Sequence, residues 1–222
     1  MAPCWRATRR PIPRSGSNRT WPRSWAEARP PVRPDDLHRL PEGLPVPVDD
    51  GACRHLPGRS LPPVALPSTR GGRVRLDRPT SRFTVIYCYP RTGLPDAEPP
   101  GGLAAWDAIP GMRGCTPQTC AYRDHHAELR ALGAEVYGVS TQDSAYQREM
   151  TDRLHVPFAV LSDAGLAFTH ALRLPTERVA GQTLLRRLTL LAEAGRIAEV
   201  FYPVFPPDAD AGRAAEWLRG RG

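Results

Sequence analysis

Hydrophobic positions fall into two regimes along this chain. Up to about residue 79 they come as short apolar pieces interrupted by proline and glycine, such as Leu44-Pro45-Val46-Pro47-Val48 and Leu61-Pro62-Pro63-Val64-Ala65-Leu66. Proline cannot donate to a β-ladder, so these pieces predict edge strands and extended arms rather than central strands. Arg73-Val74-Arg75-Leu76 completes a small N-terminal hairpin in this reading. From Phe83 the regime changes. Phe83-Thr84-Val85-Ile86-Tyr87-Cys88-Tyr89 is a continuous β-branched and aromatic run, which marks a strand buried on both faces, and Pro90 ends it. Ala134-Glu135-Val136-Tyr137-Gly138-Val139 predicts a second buried strand and Phe158-Ala159-Val160-Leu161 a third. Helical stretches separate them: one through residues 116–129 with no glycine until Gly133, one over 140–154 with Asp143 as its cap, and one over 164–172. Strands alternating with helices in this way require parallel pairing through crossovers.

The alternation then stops. Residues 184–191 and 196–202 read as strands joined only by Ala192-Glu193-Ala194-Gly195, which predicts an antiparallel hairpin. Residues 208–219, with Ala211, Ala214, Ala215, Trp217 and Leu218, predict a closing helix. The sum is an α/β fold, a thioredoxin-like three-layer sandwich with extra N-terminal strands. Residues 94–108 form a Pro- and Gly-rich insertion between the first buried strand and the helix after it. Residues 1–35 are rich in Arg, Pro, Ser and Trp, show no apolar periodicity and carry prolines from Pro11 to Pro34. They predict a disordered extension, leaving 36–222 as the domain. An Arg-rich, acid-poor leader also fits an organellar transit peptide, but a dispensable extension is the preferred reading.

Composition narrows the function classes. The 222 residues are 41% hydrophobic, enough for an ordinary core. No apolar run is long enough to span a bilayer and none resembles a signal-peptide core, so the expectation is a soluble, cytoplasmic protein without a membrane role. The formal charge of +7 is carried by arginine alone, without a single lysine. Abundant Ala, Arg, Pro and Gly explain that balance, so no nucleic-acid partner is expected. The five cysteines, Cys4, Cys53, Cys88, Cys115 and Cys120, form no regular framework. An odd count argues against a stapled secreted domain and for a reducing cytosol with a catalytic or redox pair.

Cys115 and Cys120 are that pair. Thr116 is placed to cap a helix and Pro117 to open it, which puts Cys115 at a helix N-terminus. Unpaired N–H groups and the macrodipole there favour an anion, so the Cys115 thiolate is expected to be stabilised. Cys120 lies about 7.5 Å further along the axis and about 140° around it, leaving the Cα atoms about 8.6 Å apart. A disulfide needs them within about 7 Å, so the first turns must unwind if the two ever join. Cys88, inside a strand, reads as a packing residue. Incidental cysteines, or a zinc site of Cys115, Cys120 and His125 or His126, stay open as other readings, although the spacing is poor for zinc. No metal and no cofactor is expected.

The chain from about Asp36 onward resembles the peroxiredoxins, most closely the group of the bacterioferritin comigratory proteins. The resemblance is carried by Tyr89-Pro90-Arg91-Thr92, Gly114-Cys115-Thr116 followed by Cys120, Tyr122-Arg123-Asp124, Ser140-Thr141, Leu161-Ser162-Asp163 and Arg187. It implies a thiol peroxidase: Cys115 attacks hydrogen peroxide or an organic hydroperoxide and becomes a sulfenic acid, and Cys120 resolves it as an intramolecular disulfide. Thioredoxin or glutaredoxin then reduces the disulfide, in a monomer or a homodimer. Arg187 is the expected cation at the thiolate, because the adjacent Arg186 must face the opposite side of a strand. The family's usual Thr or Ser three residues before the reactive cysteine is Met112 here, which cannot donate a hydrogen bond, so Thr92 takes that role in this reading. A thiol-disulfide oxidoreductase without peroxidase activity and a non-catalytic binding module remain as alternatives.

Overall fold

A computed structural model describes residues 35–221; the extension expected over 1–35 lies, Asp35 apart, outside the described residues. The N-terminal hairpin forms from β1 (Ala65–Pro67) and β2 (Arg73–Arg75), paired antiparallel. Then come β3 (Phe83–Cys88), α1 (Leu103–Asp107), α2 (Cys115–Asp124), α3 (His126–Ala131), β4 (Ala134–Ser140), α4 (Ser144–Arg153), β5 (Val160–Ser162) and α5 (Ala167–Leu172). Four strands follow, β6 (Thr176–Val179), β7 (Gln182–Leu185), β8 (Leu188–Glu193) and β9 (Arg196–Phe201). A 3-10 turn at Pro207–Ala209 leads into α6 (Asp210–Arg219). The central sheet has the order β5-β4-β3-β8-β9, parallel from β5 to β3 and antiparallel from β3 to β9.

The run that predicted the first buried strand becomes the middle strand, β3, with every residue buried. Its side chains alternate between two cores, as a pleated strand demands. Phe83, Val85, Tyr87 and, just beyond the strand, Tyr89 pack with Tyr122 of α2, Leu129 of α3 and Ala211, Ala215 and Leu218 of α6. Ile86 and Cys88 point the other way, against Phe168 and Leu172 of α5 and Leu56 and Leu66 of the N-terminal segment. Burying each such side chain contributes about 1.5–3 kcal/mol, so α2 is docked firmly on one face. Tyr87 fixes its position further by stacking on Tyr122 with ring centroids 4.4 Å apart. Gly138, opposite Tyr87 in the register, makes room for that ring: a Cβ there would sit 2.7 Å from it.

Three expectations need correction. The single strand expected over 184–191 is two: β7 pairs with β6 in a separate ribbon, while β8 belongs to the central sheet. The ladder breaks at Arg186 and Arg187, which belong to neither strand and take separate partners, Asp50 and Glu177 for Arg186 and Gln118 and Cys115 for Arg187. The hairpin turn is also tighter than expected, because β8 and β9 are joined by Ala194 and Gly195 alone. Both have positive φ, 48° and 77°, as a type I′ turn requires. The single helical run expected through residue 129 is two helices: α2 ends at Asp124, and α3 restarts at His126. The insertion over 94–108 carries α1, whose Trp106 is buried. Asp143 does cap α4, accepting from the Tyr146 N–H at 2.7 Å.

Candidate active site

Cys115 is the first residue of α2, but the cap is not Thr116, which lies inside the first turn. Gly114 holds the cap position in the left-handed region, φ 94°, and its carbonyl accepts from the Gln118 N–H at 3.0 Å. No other residue fits there. A Cβ would run into Pro207 Cγ and approach Leu40 Cδ1 to 3.0 Å, so the tight turn is enforced by chain on both sides of it. The preceding residue, Arg113, is buried and anchors the loop by pairing with Asp107 at 3.1 Å and Asp35 at 2.5 Å.

Only 4% of Cys115 is exposed. Its Sγ accepts a hydrogen bond from Arg187 Nη2 at 3.2 Å, and its thiol points to the Met112 carbonyl at 3.8 Å. The same Nη2 donates to the carbonyls of Arg113, at 2.9 Å, and Gly111, at 3.3 Å, while Nη1 donates to Gln118 Oε1. The guanidinium is thus clamped to the loop that presents the sulfur and to the helix that begins there. A cation so held attracts the negative charge a nucleophilic sulfur carries. Arg186 turns outward instead, to Asp50 at 2.8 Å and Glu177 at 2.9 Å, so the two arginines do part company.

Cys120 is half-buried on α2, with Sγ 3.9 Å from His38 Nδ1. Burial pushes its thiol up from the ordinary value; Arg123 opposes this and Asp124 adds to it. Cys115, Cys120, Cys53 and Cys88 are all free. Among the described residues no group of His, Cys, Asp or Glu is arranged to hold a metal ion.

Thr92 and Cys115 line one small cavity of about 90 Å³, together with Met112, Trp106 and Tyr146. Thr92 is wholly buried, and its hydroxyl donates to Gln142 Oε1 at 3.1 Å. Its hydrogen is therefore committed to Gln142, and its oxygen keeps lone pairs to offer. Met112 supplies an apolar wall, buried with Trp106, Val179 and Leu184. Two buried residues of this neighbourhood were not among the sequence candidates, Gln118 and Asp210. Gln118 follows Cys115 by three positions, and helix periodicity alone places it on the same face. Asp210 had no comparable signal, since its partner Gln118 is 92 residues away.

A mixed sheet with helices on both faces, and a cysteine at a helix start clamped by a buried arginine, define a thioredoxin-like α/β protein with a cysteine–arginine site. The chain belongs to the Redoxin family, which it matches over residues 56–216. It is 27% identical over 162 residues to the chloroplastic peroxiredoxin Q of Oryza sativa subsp. japonica, covering 73% of this chain. The match spans 66% of the rice protein's own length. Among solved structures, Peroxidoxin BcpB from Mycobacterium tuberculosis superposes with a TM-score of 0.61 at 22% identity, covering 75% of this chain and 98% of that one. Xylella fastidiosa PrxQ gives a TM-score of 0.60 at 18% identity, covering 75% and 98%. Both structures share the fold. No helix among the described residues is long and apolar enough to cross a membrane.

Proposed function

We propose that the protein is a thiol-dependent peroxidase of the peroxiredoxin Q kind, with Cys115 as the reacting residue. The observation that carries this reading is the Arg187 guanidinium 3.2 Å from a cysteine sulfur at the first position of a helix. A thiolate there attacks one peroxide oxygen; the S–O bond forms as the O–O bond breaks, and the departing oxygen takes a proton to leave as water or alcohol. Arg187 steadies the charge as it moves from sulfur to oxygen, the largest lever a preorganised site has. Thr92 accepts a hydrogen bond from the peroxide O–H, its own hydrogen being held by Gln142. Resolution follows when α2 unwinds and the Cys120 thiolate attacks the sulfenic sulfur, forming the disulfide and releasing water. Thioredoxin or glutaredoxin returns both thiols, in the reducing cytoplasm where free cysteines persist. The domain over 36–222 carries this activity, and of the extension before it only Asp35, which pairs with Arg113 beside Cys115, is expected to matter to turnover.

The test is turnover of hydrogen peroxide and of an organic hydroperoxide coupled to NADPH through thioredoxin and its reductase. Peroxide-dependent NADPH consumption with both substrates is expected. Reduction of a protein disulfide without any peroxide consumption would replace the proposal with the thiol-disulfide oxidoreductase.

A further inference from the structure

We infer that Asp210 is a positioning residue that sets the Arg187 guanidinium on Cys115 by fixing the orientation of Gln118, an inference that rests on the peroxidase reading. The Asp210 side chain is fully buried at the start of α6, and three donors converge on its Oδ2: Thr189 Oγ1 at 2.7 Å, Gln118 Nε2 at 2.8 Å and the Tyr122 hydroxyl at 2.9 Å. A glutamine amide has one donating and one accepting end. With Nε2 held by the carboxylate, Oε1 must face Arg187, where it accepts from Nη1. Turning the amide over would set its N–H groups against the guanidinium and its carbonyl oxygen against the carboxylate, losing both bonds. The carboxylate therefore decides which way Gln118 faces, and Gln118 holds the fork whose other nitrogen is 3.2 Å from the sulfur. Asp210 Oδ1 has no partner, although a buried carboxylate oxygen left unpaired is costly. The acceptor at Oδ2 is what makes the amide orientation one-sided, since a side chain without one at position 210 would leave Gln118 free to face either way.

The test is a double-mutant cycle on the stopped-flow oxidation of Cys115 by hydrogen peroxide, with Asp210→Leu, Gln118→Ala and the two combined. Asp210→Leu fills the carboxylate's volume and removes its acceptor. It is expected to slow oxidation about tenfold, the worth of one well-placed hydrogen bond to a charged group. Asp210→Asn, which keeps an acceptor oxygen in place, is expected to recover most of that rate. In the Gln118→Ala background Asp210→Leu is expected to add no further loss, whereas a residue that merely supports the fold would lower the rate by the same factor in both backgrounds. Asp210→Ala, which also removes the acceptor, takes the place of the leucine variant in the same cycle if that variant does not fold. Additive losses, or an Asp210→Leu rate equal to wild type, would overturn the inference alone; a wild-type protein inert to peroxide would overturn the peroxidase reading beneath it.

Discussion

Replacing Cys115 with serine is expected to abolish peroxide consumption, because no other described cysteine has the means to replace it. Burial pushes the Cys53 thiol up to about 12 and the Cys88 thiol well above its ordinary value, so both are inert packing groups near neutral pH. Cys120 is also pushed up by burial and has no guanidinium clamp of the kind Arg187 makes on Cys115. A serine hydroxyl at 115 keeps the size of the thiol and loses its nucleophilicity. Peroxide depletion by the reduced variant should match that of buffer. Depletion by Cys115→Ser at the wild-type rate would move the chemistry to another residue.

The second large effect is expected at Arg187. Arg187→Met keeps the volume of the stem and removes the donors to Cys115, Gln118 and the carbonyls of Gly111 and Arg113. Losing one preorganised electrostatic contact of this kind slows a reaction by about 10²–10³-fold. The carbonyls left unpaired should also lower stability by about 1–3 kcal/mol. Arg187→Lys restores the charge without the fork and is expected to recover only part of the rate. Stopped-flow oxidation under excess peroxide reads both variants, and a methionine variant within about threefold of wild type would remove Arg187 from the mechanism.

The parts of this architecture legible in the sequence are those set by local pattern. The apolar run over 83–89 announced the central strand, and Asp143 announced its helix, because each depends on neighbouring residues only. Cys115 at the start of α2 was legible too, although through the wrong cap. Gly114 takes the cap because Pro207 and Leu40 crowd it, and neither is near it in the chain. The break between β7 and β8 was hidden for a similar reason. The run over 184–191 remains apolar on both sides of the two arginines, and only the distant partners of Arg186 and Arg187 show that the ladder stops there. The Arg187 guanidinium lies on Cys115 and that of Arg186 on Asp50 and Glu177, since neighbours in extended chain diverge whether or not they sit in a strand. Thr92 reaches the cavity of Cys115, but the commitment of its hydrogen to Gln142 depends on a residue 50 positions on. Asp210 depended on the closing helix docking against α2, which no local pattern specifies.

In the proposed cycle Cys115 reacts while α2 is wound and Cys120 answers when it unwinds, because an intact helix holds the two Cα atoms about 8.6 Å apart, beyond disulfide reach. The cycle is tested most directly by adding one equivalent of hydrogen peroxide to the reduced protein, alkylating the remaining thiols and weighing the tryptic peptide 114–123 without reduction. The expected result is a peptide lighter by two hydrogens, with neither Cys115 nor Cys120 alkylated. A peptide in which Cys120 is alkylated and Cys115 carries an oxygen adduct or a link to another molecule would remove Cys120 from the resolving role.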